Sequence, residues 1–522
     1  MTLTGFVTYR FRETRAMTMA QFFEMRYSRN FRVFAGIITY VSGVLNYALF
    51  PAVSARFLLY FCGLPDTWPF FGLQVSTYAS IMVVFLSAAV AIVWFGGQLT
   101  AMVTDCVQGL FSYIGYLIIV VVIMLVFSTQ QFGEAMMNRP PGESFLNPFD
   151  TEKLTEFNIF YVMIGIMSSI YSRNAWLGSQ AYMCSAASAH EQKMGGVLST
   201  WRGGYTGIMI SLLAVAGFTF MNHPDFGAGS AAVQAELAQR INCATPAATA
   251  TLREQMTVPM AMRHFLPTGA MGLLASLAII MWVSTDQTYL HSWGSIFIQD
   301  IVLPLRRKPF TPHQQIRALR LSILAVAIFG FLFSLERLLH RGQYARAEDQ
   351  VAVRNVVPGK KRSPLMALMG IDEHFTLGDK ILAWSVFLWS MLHFAIFLIV
   401  IVWNVFLAPW STRAWFLWWK YYTLWLGLFV GAVTTVWFTW GGVRDLIRLF
   451  RSLKTLKRSV LDDGRVIDHV SADDVALVEA VENVHVSAAH EAERKLKDAL
   501  AAEEKRQRER REGPGSAGDS KP

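Results

Sequence analysis

The chain has 522 residues, of which 53% are hydrophobic, 13% aromatic and only 16% charged, with a formal net charge of +9 and a mean hydropathy of +0.36. A soluble domain carries about 25% charged residues, and here the deficit is concentrated in stretches rather than spread evenly. These values exclude a disordered chain, a coiled coil and an ordinary soluble enzyme of two or three domains; they leave a polytopic membrane protein.

Residues 1–31 are polar and basic with no apolar run of their own, so they do not read as a signal peptide. Arg10, Arg12, Arg15, Arg26, Arg29 and Arg32 predict that this segment stays in the cytoplasm. At about 20 residues per bilayer crossing, nine apolar segments are long enough to cross, near 32–60, 77–97, 101–128, 157–183, 195–221, 263–299, 313–335, 378–407 and 414–442. Each is a continuous apolar run, which a membrane accepts only as a helix, and the alternating strands of an outer-membrane barrel do not occur in the sequence. The expected fold is therefore an all-α polytopic membrane protein of about nine transmembrane helices.

Between the apolar segments lie a loop at 129–156 with Pro140, Pro141 and Gly142, and a longer one at 222–260 with Asn222, Pro224, Gly227 and Gly229 ahead of an Ala-rich stretch. A third loop, 337–377, is strongly basic, with Arg337, Arg341, Arg346, Lys360, Lys361 and Arg362. From about 443 the chain turns charged. Residues 473–512 read as a polar helix whose weak apolar spacing (Val475, Val478, Val481) favours loose docking over a coiled coil, and 513–522 as a disordered tip. The organisation is thus a basic N-terminal segment (1–31), core helices (32–335), a basic loop (336–377), two C-terminal transmembrane helices (378–442) and a charged cytoplasmic tail (443–522). Cys62 and Cys243 both fall outside on this topology, which leaves a disulfide between them open but not favoured. No cysteine or histidine cluster has metal-ligand spacing, so no transition-metal site is expected.

Charge tests the topology. From a cytoplasmic N-terminus, six crossings return loop 300–312, with Arg306, Arg307 and Lys308, to the inside, and loops 61–76 and 129–156, poor in Lys and Arg, fall outside. One further crossing at 313–335 delivers the basic loop 337–377 to the wrong side, together with Arg444, Arg448, Arg451, Lys454, Lys457 and Arg458. Both conflicts vanish with one parity error between about 300 and 337: either 313–335 does not cross, or an odd number of helices is missing there.

Four stretches carry a resemblance: "TRAMTMAQFFEMRYSRNFR" (14–32), "GGQLTAMVTDCVQG" (96–109), "AWLGSQAYMCSAASAHEQKMGGVLSTWR" (175–202) and "LPTGAMGLLASLAIIMWVSTDQTYLHSWGSIFIQDIVLP" (266–304). In this order and spacing the chain resembles the sodium:solute symporter family. The last stretch resembles the family's eighth core helix with its hydroxyl pair. The resemblance implies an incomplete leucine-transporter-like inverted-repeat fold. The family has helices ahead of residue 10, among them a broken first core helix, and a Gly-rich helix after the 313–335 region; here "FGFLFS" runs straight into "LERLLHRGQYARAED". That implies an internal loss of about three helices, an odd number, as the charges ask. Gln98 also stands where an apolar residue is more usual.

By this resemblance the coupling ion is Na+, bound through the hydroxyls of Ser284 and Thr285 and the carbonyl of Met281, with Asp105 on the cation's inward path. On the residues alone, Ser and Thr in membrane helices often bond back to the i−4 carbonyl. Asp105 reads equally as an acid favoured at a helix N-terminus or as a functional intramembrane charge. Asp286, next to the hydroxyl pair, could tune the field there or be paired. Tyr161, Trp176, Gln180 and Tyr182 lie on or beside the helix that lines solute in the family, and Arg173 suits a carboxylate; ordinary packing is the competing reading. The expected partners are a small organic solute (sugar, polyol or carboxylate) and the bilayer, with no nucleic acid, no cofactor beyond Na+, and residence in the cell's inner membrane with a cytoplasmic N-terminus. The sequence holds no nucleophile elbow, His-rich box or phosphate loop, so an enzyme is not expected. The leading function is a sodium-coupled symporter working by alternating access. The alternative is a transport-inactive truncated remnant or mis-assembled gene model, for which no sodium-stimulated uptake is expected.

Overall fold

The computed structural model describes residues 16–453, with gaps at 155–158, 172–176, 244, 307–309 and 336–374 and at single positions between 180 and 187, together with isolated residues before 16 and the pairs 466–467 and 470–471. The candidate residues Arg173, Trp176 and Gln180, most of the basic loop and the predicted tail helix lie outside the described residues.

Helix α1 (Met19–Arg26) starts where Thr18 accepts a hydrogen bond from the Gln21 amide, and α2 (Arg29–Tyr47) where Ser28 accepts from the Phe31 amide. A break at Ala48 and Leu49, followed by Pro51 in the first turn, begins α3 (Phe50–Phe61). The strands β1 (Thr67–Phe70) and β2 (Leu73–Ser76) then pair antiparallel, Thr67 opposite Ser76 and Phe70 opposite Leu73. This exposed hairpin corrects the expectation of helices alone: Phe71 and Gly72 take positive φ (47° and 83°), which turns the chain in two residues.

Helix α4 (Thr77–Val126) runs for 50 residues, about 75 Å if straight against a hydrocarbon core of about 30 Å. It is not straight. Gly97, at φ 63° and ψ −161°, breaks it into two limbs. Tyr78 near its start and Phe127 just past its end pack on one hydrophobic cluster with Phe61 and Phe265, so the limbs run antiparallel. A capping box of Ser128 and Gln131 opens α5 (Thr129–Met137). Then follow α6 (Ile159–Tyr171), α7 (Ala189–Asn222), α8 (Gly227–Arg240), α9 (Pro246–Phe265) and α10 (Thr268–Ile296). Helices α8 and α9 occupy the stretch expected to be a loop. The last turns of α10 widen into a π-helix, Phe297–Val302. The remaining helices are α11 (Pro312–Leu335), α12 (Leu377–Val402), α13 (Thr412–Trp418) and α14 (Leu426–Leu453), the last two joined by the π-helical turn Trp419–Trp425.

Among the described residues seven helices are long and apolar enough to cross a membrane. Counting the two limbs of α4 separately makes eight passes. Within the predicted segment 157–183 the described residues include α6. Lipid-facing side chains such as Leu125, 81% exposed, ring the bundle. The chain is an all-α polytopic membrane protein, its small hairpins apart.

The ends of the bundle can be told apart. Phe61, Phe127, Phe132, Phe265, Trp415 and Phe416 share the core cluster at one end. At the other end Arg32 of α2 pairs with Asp300 of the π-turn at 3.2 Å, and His190 at the start of α7 lies 3.4 Å from Asp379 at the start of α12. Helix α11 leaves the second end and reaches toward the first, where the Tyr78 hydroxyl donates to the Ser334 carbonyl. So 313–335 runs from the second end of the bundle to the first. In α14, Gly442 packs on Leu110 well down the second limb of α4, so Arg444, Arg448 and Arg451 head for the second end with Arg29 and Arg306.

Candidate functional site

The polar centre of the bundle forms where the second limb of α4 meets α10. Ser284, Gln287 and Thr288 stand at i, i+3 and i+4 on α10 and therefore share one face. That face looks onto Asp105, eight residues past the Gly97 break. Asp105 Oδ1 accepts from the Ser284 hydroxyl at 2.6 Å and from Gln287 Nε2 at 2.5 Å. Asp105 Oδ2 accepts from the Tyr182 hydroxyl at 2.6 Å and from the Thr288 hydroxyl at 3.2 Å. Tyr182 and Thr288 are themselves 2.9 Å apart. Gln287 also donates to the Thr104 hydroxyl at 2.9 Å, which ties its amide to α4. Three separate segments thus converge on one intramembrane carboxylate.

The structure brings together Asp105, Ser284 and Tyr182 from among the candidates. It separates the other two members of the hydroxyl set. Thr285 donates back to the Met281 carbonyl at 2.8 Å, the local bond available to any mid-helix Ser or Thr. The Met281 carbonyl is thereby engaged, and its sulfur accepts from the Tyr116 hydroxyl. Ser284 and Thr285 therefore point to different neighbours although they are adjacent in sequence. Asp286 turns to the opposite face of α10, where it is fully buried beside Tyr47 and Trp282 rather than next to Ser284. Tyr161 lies on α6 with 54% of its surface exposed.

Gln287, Thr288 and Thr104 belong to the centre but carry no signal as single residues. The spacing could have found two of them: positions three and four beyond Ser284 lie on its helical face.

The centre offers five oxygen atoms within a few ångströms: both of Asp105 and the hydroxyls of Ser284, Thr288 and Tyr182. This is an all-oxygen set, suited to a hard cation rather than to zinc or copper. The Ser284 and Tyr182 hydroxyls donate to Asp105 here, and the Thr288 hydroxyl is shared between Asp105 at 3.2 Å and the Ser284 carbonyl at 2.9 Å; each retains lone pairs for a cation. Among the described residues no group of three or more His, Cys, Asp and Glu gathers as a metal site.

Two further polar ties hold the ends. At the second end, Arg32, only 1% exposed, joins Asp300 and Glu24 (2.7 Å) and donates to the Gln299 carbonyl, while Thr18 donates to Asp300 at 2.6 Å. At the first end the His223 ring bonds Glu134 at 3.0 Å and holds that carboxyl below its usual range. All four cysteines are free, Cys62 and Cys243 included, so the disulfide left open by the sequence is not formed. Burial pushes the Cys184 thiol, which donates to the Ala16 carbonyl at 3.5 Å, up to about 12.

No family profile and no curated protein matches the sequence. Among solved structures the chain is similar to a Na+-coupled sialic acid symporter in a substrate-bound, outward-open state, at 17% identity and a TM-score of 0.49, over 64% of this chain and 67% of that one.

Proposed function

We propose that the chain is a secondary transporter that couples a monovalent cation, sodium, to movement of a small organic solute, and that the cation sits on Asp105. The observation that carries this reading is the convergence of four donors from α10 and the Tyr182 stretch on one carboxylate inside the bundle. The dipole of a helix N-terminus does not account for it, because that effect fades within the first turn and Asp105 lies eight residues past the break. An acid in a membrane span is costly unless it is used or paired, and among the described residues Asp105 forms no ion pair; its partners are all neutral.

A cation there neutralises Asp105 and draws in the hydroxyls of Ser284, Thr288 and Tyr182, so the second limb of α4, α10 and the 182 stretch are pulled together. Without it, those contacts rest on hydrogen bonds alone. Such a difference between states is what allows a bound ion to shift a conformational equilibrium. The membrane potential would contribute about 2.3 kcal/mol per charge per 100 mV. The basic second end is read as cytoplasmic and the membrane as the cell's inner one. The solute is a sugar, polyol or carboxylate.

The test is binding, independent of uptake. Purified protein in lipid nanodiscs is melted in NaCl and in equimolar KCl. Sodium at about 100 times its dissociation constant stabilises by about 2.7 kcal/mol, so the melting temperature rises in sodium over potassium. Asp105→Asn abolishes that difference. Equal melting in both salts for the unaltered protein would sink the reading.

A further inference from the structure

The hairpin ahead of α4 carries a pattern that the cation reading leaves unused. Residues directly opposite one another in an antiparallel pair share a face. Trp68 stands opposite Val75 and Phe70 opposite Leu73, so these four apolar side chains lie on one face. Thr67, Pro69, Gln74 and Ser76 lie on the other. The Trp68 and Phe70 rings meet on the first face, their centroids 5.2 Å apart. Protein leaves that face open: Phe70 is 48% and Leu73 71% exposed, and Phe71 at the tip 93%. No residue from 67 to 76 is charged. A two-stranded hairpin by itself is only marginally stable in water, and one with an open apolar face needs an apolar surface to lie on.

Two observations identify that surface, one of depth and one of direction. The first limb of α4, from Thr77 to the Gly97 break, is a run of about 20 uncharged residues, about 30 Å of helix, which matches the thickness of the hydrocarbon core. Strand β2 leads directly into Thr77 and so sits at the level of the lipid headgroups. The Trp68 indole N–H donates to Ser80 Oγ at 3.0 Å, one turn into α4. Ser80 shares a helical face with Val84 and Phe95, which are 60% and 82% exposed and form a lipid-facing stripe. Trp68 is thus bonded at the head of that stripe, and the apolar face that carries it turns toward the same lipid. An indole at headgroup depth, its ring toward the acyl chains and its N–H on a polar partner, is an arrangement that membrane interfaces favour.

We propose that the 67–76 hairpin is a lipid-binding element that lies on the bilayer at the first end, with Trp68, Phe70, Leu73 and Val75 in the boundary between headgroups and acyl chains. It pins the junction of α3 and α4 at a fixed depth. The hairpin has no charge with which to select a headgroup, so it recognises the apolar part of the lipid. The assignment stands apart from the Asp105 reading, since it requires neither sodium nor transport.

The experiment is photo-crosslinking of the full chain in phosphatidylcholine vesicles, with p-benzoylphenylalanine in place of Leu73 or, in a second variant, in place of Gln74. The two positions are neighbours on β2 and both are exposed, so neither replacement forces repacking, yet they point to opposite faces. Irradiation should attach phosphatidylcholine at position 73 at least about fivefold more than at position 74, read by intact mass, because only the first face enters the boundary. Equal lipid yields at the two positions, or no lipid adduct at position 73, overturn the proposal. So does a covalent pair of chains as the main product at position 73, which would make the face a contact between two copies.

Discussion

Asp105 is held by four neutral donors, and that arrangement fixes what single substitutions should do. Ser284 donates to Asp105, whereas Thr285 donates to the Met281 carbonyl of its own helix. Ser284→Ala should therefore weaken sodium binding by about tenfold, the value of one hydrogen bond to a charged group, and Thr285→Ala by less than about twofold. Isothermal titration with NaCl distinguishes the two; equal losses would place the ion on the hydroxyl pair instead. A different residue pair answers to pH. The His223 ring, by hydrogen bond and then by charge, lowers the Glu134 carboxyl below its ordinary value of 4.5. A depressed carboxyl adds stability above its unfolded value and loses it as pH falls through the folded one. Melting temperature should thus decline on acidification below pH 4.5, and His223→Ala should flatten that part of the curve. An unchanged acid limb in the variant would remove the pair from the account.

At the scale of elements, the turn within α4 is the feature most open to test. Gly97 holds φ 63° and ψ −161°, a region essentially closed to residues with a Cβ, at a cost of about 1–3 kcal/mol. Gly97→Ala should lower thermal stability by that order, while Gly109→Ala, where an added Cβ meets open space inside the helix, should be neutral or slightly stabilising. The two limbs were legible in the sequence because Gly96 and Gly97 interrupt an apolar run far too long for one crossing. The break in α2–α3 was not, since Ala48 and Leu49 carry no turn chemistry and Pro51 alone marks the restart. The helices α8 and α9 were also missed: with mean polarity close to even, they show no apolar run to announce them, and they are held by tertiary ties such as Arg263 to Glu236 at 2.7 Å. The Asp105 centre was half legible. Its acid and Ser284 stand out as polar residues in apolar helices, but Tyr182 lies 77 positions from Asp105, and only folding brings them into contact.

At the scale of the whole molecule, the two ends of the bundle should face opposite aqueous compartments. Positive charge in the sequence requires Arg444, Arg448 and Arg451 to share a side with Arg29, yet a simple count of apolar segments puts them on the other. In the packing α11 runs from the second end toward the first, and α12 starts beside His190 at the end from which α11 left. Cys62, exposed past α3, marks the first end, and Arg444, whose side chain is 61% exposed, marks the second. In sealed vesicles a membrane-impermeant maleimide should therefore modify Cys62 and Arg444→Cys from opposite sides. Cys184, with its thiol raised to about 12 by burial, should contribute little background, because the reactive species is the thiolate. Adding Thr376→Cys completes the test: it should label with Arg444→Cys. If it labels with Cys62 instead, α11 and α12 join without a net crossing between them, and the packing that places Asp379 beside His190 is not the arrangement in the membrane.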